Sequence, residues 1–154
     1  MKLSEHFTLE ELCKSQTAIR MGIDNSPSTS QVDSLRYLAQ RILEPVRSEY
    51  GLPYTPSSGY RSPDLNRAIG GSSTSQHCLG QAADIEIPNL SNLALAWWIR
   101  THLDFDQLIL EHFDNSDPSS GWVHVSVVSP ESRKYNRHDT LVYDGKSYSR
   151  GLPG

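Results

Sequence analysis

His77 and Asp84 stand seven positions apart in the run Ser75 to Ile87, SQHCLGQAADIEI, with Gly80 and the small pair Ala82 and Ala83 between them. An imidazole followed by a carboxylate at the head of an alternating polar and apolar segment is the pattern of a metal site leading into a strand. If Asp84 to Ile87 is extended, Asp84 and Glu86 share one face while Ala83, Ile85 and Ile87 share the other. The run Trp122 to Val127, WVHVSV, has the same period and puts Trp122, His124 and Ser126 on one face. Pairing of the two strands would set His124 against Asp84. Two imidazoles and one carboxylate leave a fourth tetrahedral position open, the arrangement of catalytic zinc rather than of a closed structural knot. The plain alternative on spacing alone is a set of hydrogen-bonded polar groups at strand ends.

The elements that must position these residues are legible from caps and periodicity. Thr8 to Lys14 reads as a short helix with Thr8 and Glu11 as a capping box, and Thr17 to Met21 adds a turn before a loop at Gly22 to Ser28. A long amphipathic helix is expected from about Ser30 to Tyr50, with a kink or early break at Pro45 and a stop at Gly51 and Pro53. Tyr54 to Tyr60 is extended and leads to Arg61. Asp64 to Ile69 forms a short helix, Asn66 orders the loop after it, and Gly70 to Ser75 is a flexible approach to His77. Ser91 caps a helix through Leu103, with Leu93, Leu95, Trp97, Trp98 and Ile99 on its buried side. Phe105 to Glu111 alternates as a strand with Gln107, Ile109 and Glu111 on one face, and Phe113 to Gly121 is a polar loop. Asp144-Gly145 between Thr140 to Tyr143 and Lys146 to Tyr148 signals a type I′ hairpin.

Bulk properties bound the function. The 154 residues, 36% hydrophobic and 21% charged, suffice for one core, so a single domain over 1–154 is expected. A net charge of -4 and a pI near 5.8 argue against a nucleic-acid partner. The chain shows no apolar run of transmembrane length, and its polar N-terminus lacks a signal-peptide core, so synthesis in the cytoplasm without an export signal is expected. Cys13 and Cys78 have no spacing that demands a bridge. Cys78, beside His77, is either a ligand or a small apolar filler.

Three motifs in order, Ser-x-His-x-x-Gly-x-Ala-x-Asp at Ser75 to Asp84, Ser-Gly-Tyr-Arg-Ser-Pro at Ser58 to Pro63 and Trp-Val-His-Val-Ser at Trp122 to Ser126, resemble peptidase family M15. This is the family of zinc D-Ala-D-Ala carboxypeptidases and peptidoglycan endopeptidases, and the likeness is to its short bacterial and phage, endolysin-like members. It runs from Phe7 to the last hairpin. The resemblance implies an α+β fold with helices packed on a small, mainly antiparallel sheet, of the hedgehog and D-Ala-D-Ala peptidase type. It implies one Zn2+ held by His77, Asp84 and His124. The implied activity is hydrolysis of peptidoglycan stem or cross-link peptides by a monomer acting at the cell wall, as in phage lysis or within a virion.

Arg61 offers a planar fork of donors suited to a carboxylate or a developing oxyanion. A surface pair with Asp64 is its plain alternative, and the resemblance assigns Arg61 to substrate. Ser75 could bond substrate or serve as a simple turn residue. A zinc peptidase also needs a proton acceptor for the attacking water. Several family members carry an acid or a histidine two or three residues before the last ligand, but here Trp122 and Gly121 occupy those positions. Glu111 matches the glutamate that shorter members carry after an apolar strand and is the first choice as base. Glu86 is second and His112 third. A non-catalytic, zinc-containing wall-binding or structural module is the rival reading, and a zinc hydrolase of another amide, including a cytoplasmic dipeptide, is the second.

Overall fold

Side-chain caps start most of the helices. Thr8 accepts from the Glu11 amide at 3.2 Å while Glu11 accepts from the Thr8 amide at 3.1 Å, so a complete capping box opens α1 (Leu9–Cys13). Ser15 caps α2 (Gln16–Met21), which ends at Gly22 in the left-handed conformation. Ser28 and Gln31 form a second capping box at α3 (Thr29–Leu38). The structure is a computed structural model and describes residues 1–154.

The disturbance expected at Pro45 takes the form of a π-turn just ahead of it, and the chain stays helical through to Tyr50. After α3 the chain widens into a π-turn (Ala39–Leu43), where the Glu44 amide donates to Ala39 five residues back, and continues as α4 (Glu44–Tyr50). The wide turn accommodates the missing Pro45 N–H and its ring just upstream of where a regular helix would clash. Leu35, Leu38, Ile42, Leu43 and Val46 are thereby kept on one buried face.

Ser62 caps α5 (Pro63–Ala68), a 3-10 turn follows at Gln76–Leu79, and β1 spans Ala82–Ile85. The strand begins two residues earlier than the alternation at Asp84 suggests and ends before Glu86. Ser91 caps α6 (Asn92–His102), accepting from the Ala94 amide at 3.1 Å. Its fully buried side is Leu95, Ala96 and Ile99, whereas Trp97 is only half-buried and donates its indole N–H to the Pro153 carbonyl at 2.7 Å.

The remaining strands are β2 (Gln107–Glu111), β3 (Trp122–Ser126), β4 (Asp139–Tyr143) and β5 (Tyr148–Arg150). They join β1 in one open sheet of order β1-β3-β2-β4-β5, antiparallel except for the β2–β4 pair. The expected α+β architecture is therefore observed. Leu108, Leu110, Val123 and Val125 are fully buried beneath α6 in a single apolar core of 24 residues. Strand alternation sends Gln107, Ile109, Glu111, Trp122 and His124 to the other face. No helix is long and apolar enough to cross a membrane.

The last hairpin differs from the expected type I′ turn. Tyr143 pairs with Tyr148, leaving a four-residue loop in which Gly145 alone has positive φ. The Asp144 carboxylate accepts the Lys146 and Ser147 amides at 2.8 and 2.9 Å, an arrangement that competes successfully with the two-residue turn.

Gly121 controls the return from β2 to β3. Its φ is +63°, and a Cβ there would lie 1.8 Å from the Glu111 carbonyl oxygen. Gly121→Ala combines a left-handed penalty with a backbone collision and is expected to cost about 3 kcal/mol or more. Thermal unfolding would show it as a drop in midpoint of about 10 °C. An unchanged midpoint would mean that this turn relaxes freely.

Candidate active site

Backbone contacts build the site before any side chain is placed. The Asp84 amide donates to Ser58 at 2.9 Å, and the Ser57 amide donates to Asp84 at 2.9 Å, fastening Ser57 to Arg61 along the free edge of β1. Gly59 lies so close to α1 that a Cβ would sit 2.4 Å from the Leu12 carbonyl oxygen. That approach aims the Gly59 carbonyl at His77, whose Nδ1 lies 2.7 Å away. The Arg61 amide then donates to the His77 carbonyl at 3.1 Å, which ties Arg61 to the 3-10 turn.

The register sets Asp84 directly opposite His124. His77 Nε2 lies 3.3 Å and His124 Nδ1 3.2 Å from the same oxygen, Asp84 Oδ1. The three candidate ligand atoms all fall within 4.8 Å of one another. Tetrahedral zinc with bonds of about 2.05 Å separates its ligand atoms by about 3.3 Å, close to both contacts. With Nδ1–H donated to Gly59, His77 turns the lone pair of Nε2 toward the cluster, the orientation by which an outer hydrogen bond prepares a metal ligand. Burial alone would raise the Asp84 carboxyl, but the His124 and His77 imidazoles packed against it overcome this and hold the group well below the usual carboxylate range. The donor set, its spacing and this ionised carboxylate fit a divalent cation.

A groove of about 1150 Å3 opens over the cluster. Arg61, Ser75 and Glu111 line it together with His77, Asp84 and His124. Arg61 does not pair with Asp64, which is taken by Arg67. Instead Arg61 Nη2 donates to Ser75 Oγ at 3.3 Å, and Arg61 Nε is buried without a partner. Ser75 Oγ also accepts from the His77 amide at 3.2 Å, so one hydroxyl links the guanidinium to the ligand turn. The guanidinium therefore has unused donor capacity and no carboxylate of its own.

Glu111 ends β2 beside Trp122 and is half-buried. Burial pushes its carboxyl above the ordinary value of 4.5, and Asp84 adds to this, against the opposing pull of His124, His112 and Arg61. In the metal-free protein its carboxyl is expected to titrate above 4.5. Zinc loading should pull the midpoint down, because a nearby cation favours the ionised form. Carbon-detected NMR of the Glu111 carboxyl reads both; a midpoint that ignores zinc would place the ion away from this groove.

Against known families, the chain matches Peptidase M15 over residues 5–126. The chain belongs to the peptidase M15 family. Membership supports a metallopeptidase, since M15 enzymes are typically metal-dependent, and His77, Asp84 and His124 form the group that could hold the ion. No curated protein matches the chain. The M15 match ends at Ser126, so β4 and β5, which complete the sheet, lie beyond it.

Of the positions two and three residues ahead of His124, the backbone closes one to any side chain and an aromatic ring fills the other. Gly121 has no room for a side chain, and Trp122 instead stacks on His112 with ring centroids 5.2 Å apart. Glu86 is exposed, accepts from Asn92 Nδ2 at 3.1 Å and does not line the groove. His112 lines it from a left-handed backbone position, φ 52°, immediately after Glu111. Cys78 is outside the cluster, and both cysteines are free thiols.

Sequence reasoning missed Asp106, which is 3% exposed and holds the ligand turn from below. Its carboxylate accepts Gln76 Nε2 at 2.9 Å and two guanidinium donors of Arg137 at 3.0 and 2.8 Å. The only sequence signal was an acidic residue directly preceding an apolar strand. Leu141 and Tyr148 also line the groove, although the hairpin carried no sign of which strand it would join.

Proposed function

We propose that this M15 chain is a zinc metallopeptidase that hydrolyses a peptide bond in peptidoglycan stem or cross-link peptides, and that its place of action is the cell wall. The observation that carries the reading is the convergence on one groove of the His77, Asp84 and His124 cluster, a half-buried Glu111, and an Arg61 with no carboxylate partner.

His77, Asp84 and His124 are the residues that would hold zinc, which when bound supplies Lewis acidity to the scissile carbonyl and to an attacking water. Glu111 takes the proton from the water and delivers it to the leaving amine. Its elevated affinity for a proton suits a group that must both accept and return one near neutral pH. Arg61 presents its free donors to a substrate carboxylate or carbonyl oxygen, with Ser75 fixing the guanidinium's orientation. His77 is kept in one tautomer by Gly59, so the site is oriented before substrate arrives.

The test is metal content by elemental analysis beside clearing of purified peptidoglycan and release of new amines. About one zinc per chain with clearing and amine release supports the proposal. Zinc without any hydrolysis would favour the wall-binding module. Turnover of small dipeptides in preference to peptidoglycan would identify a different amide as substrate.

A further inference from the structure

The groove extends well past the metal cluster, and the register measures how far. His124 on β3 pairs with Ile109 on β2, Ile109 pairs with Leu141 on β4, and Leu141 pairs with Arg150 on β5. One row of side chains therefore crosses the sheet from the candidate ligands to the far edge. In the adjacent row Trp122 pairs with Glu111, and Tyr143 pairs with Tyr148. Three strand spacings separate β3 from β5, about 14 Å, which is the length of about four residues of extended peptide.

The chemistry of this far half differs from that of the cluster. Ile109 and Leu141 line it from the first row and Tyr148 from the second, giving an aliphatic floor flanked by an aromatic ring. Tyr148 is 58% exposed on an edge strand whose other residues are also exposed, and its ring stacks on Tyr143 at 4.5 Å. An exposed tyrosine on the far strand, one row over from an apolar strip that starts at the candidate ligands, is positioned for an occupant that reaches across the sheet.

On the peptidase reading above, we infer that the β4–β5 hairpin forms an extended-peptide subsite. It takes about four residues on one side of the scissile bond, with small apolar side chains against Ile109, Leu141 and Tyr148. The chain is then an endopeptidase that selects by length, and Tyr148 and Leu141 are specificity-determining residues. An aliphatic strip favours a peptide here over a sugar, whose hydroxyl rim would find Ile109 and Leu141 without hydrogen-bonding capacity.

The experiment is calorimetry of the zinc-loaded chain with reduced-amide peptides carrying one to six residues on each side of the modified bond, beside kcat/KM for the cleavable series. Affinity should rise roughly tenfold or more up to about four residues on one side and then level off, as the apolar strip fills. Tyr148→Ala and Leu141→Ala should each remove much of that gain, so that long and short peptides approach equal affinity. A flat length dependence, or a gain that both variants retain, would overturn the inference. So would stronger competition by free amino-sugar fragments than by length-matched peptides. A flat series with wall peptides still cleaved leaves the peptidoglycan reading standing. A clear length gain that is equal for ordinary L-peptides upholds the subsite and overturns the wall substrate.

Discussion

Glu111→Gln is expected to lower kcat on a wall peptide by roughly a hundredfold to ten-thousandfold, the usual contribution of a positioned general base. Glutamine preserves the shape of the side chain and one acceptor oxygen but cannot take the proton of the attacking water. Glu111 is not one of the three clustered side chains, so the variant should keep zinc at the wild-type ratio. KM should move little, because the lost interaction belongs to proton transfer rather than to ground-state binding. The measurement is steady-state kinetics on protein of verified zinc content. A zinc-replete variant with near-normal kcat would transfer the base role to His112, whose ring lines the same groove.

His77→Ala should abolish both metal retention and hydrolysis. Removing an outer hydrogen bond to a metal ligand already costs about 10- to 100-fold in affinity, so loss of a ligand itself should exceed about a hundredfold. His77 is only 2% exposed, and its removal leaves Asp84 and His124 facing a void. Linkage supplies a second readout. Zinc at a hundred times its dissociation constant stabilises the wild type by about 2.7 kcal/mol, which a chelator removes. The variant should unfold at the same temperature with and without chelator. A full complement of zinc in His77→Ala would remove this residue from the ligand set.

Much of the scaffold was legible in the residues because its signals act over a few positions. The Thr8 and Glu11 capping box, the Ser91 cap, and the alternation that sends Gln107, Ile109 and Glu111 to one face all depend on neighbours within a turn or two. The facing of Asp84 and His124 followed from alternation only on the condition that their two strands pair, a condition that the fold meets. Local rules failed where a competing local interaction won. The Asp144 carboxylate captured two amides and lengthened the hairpin loop.

The residue types and their order marked the strand faces and the candidate ligands His77, Asp84 and His124, which rest on side-chain chemistry and backbone periodicity along short stretches. The fold class came instead from the resemblance of three motifs to the M15 family. Folding in three dimensions settled the parallel pairing of β2 with β4, the burial of Asp106 between Gln76 and Arg137, and the steric exclusion of any side chain at Gly121. Those features join segments distant in the chain, and their outcome depends on loop closure and on which apolar faces bury each other. No local pattern encodes that choice, because a strand's own alternation is the same whichever neighbour it meets.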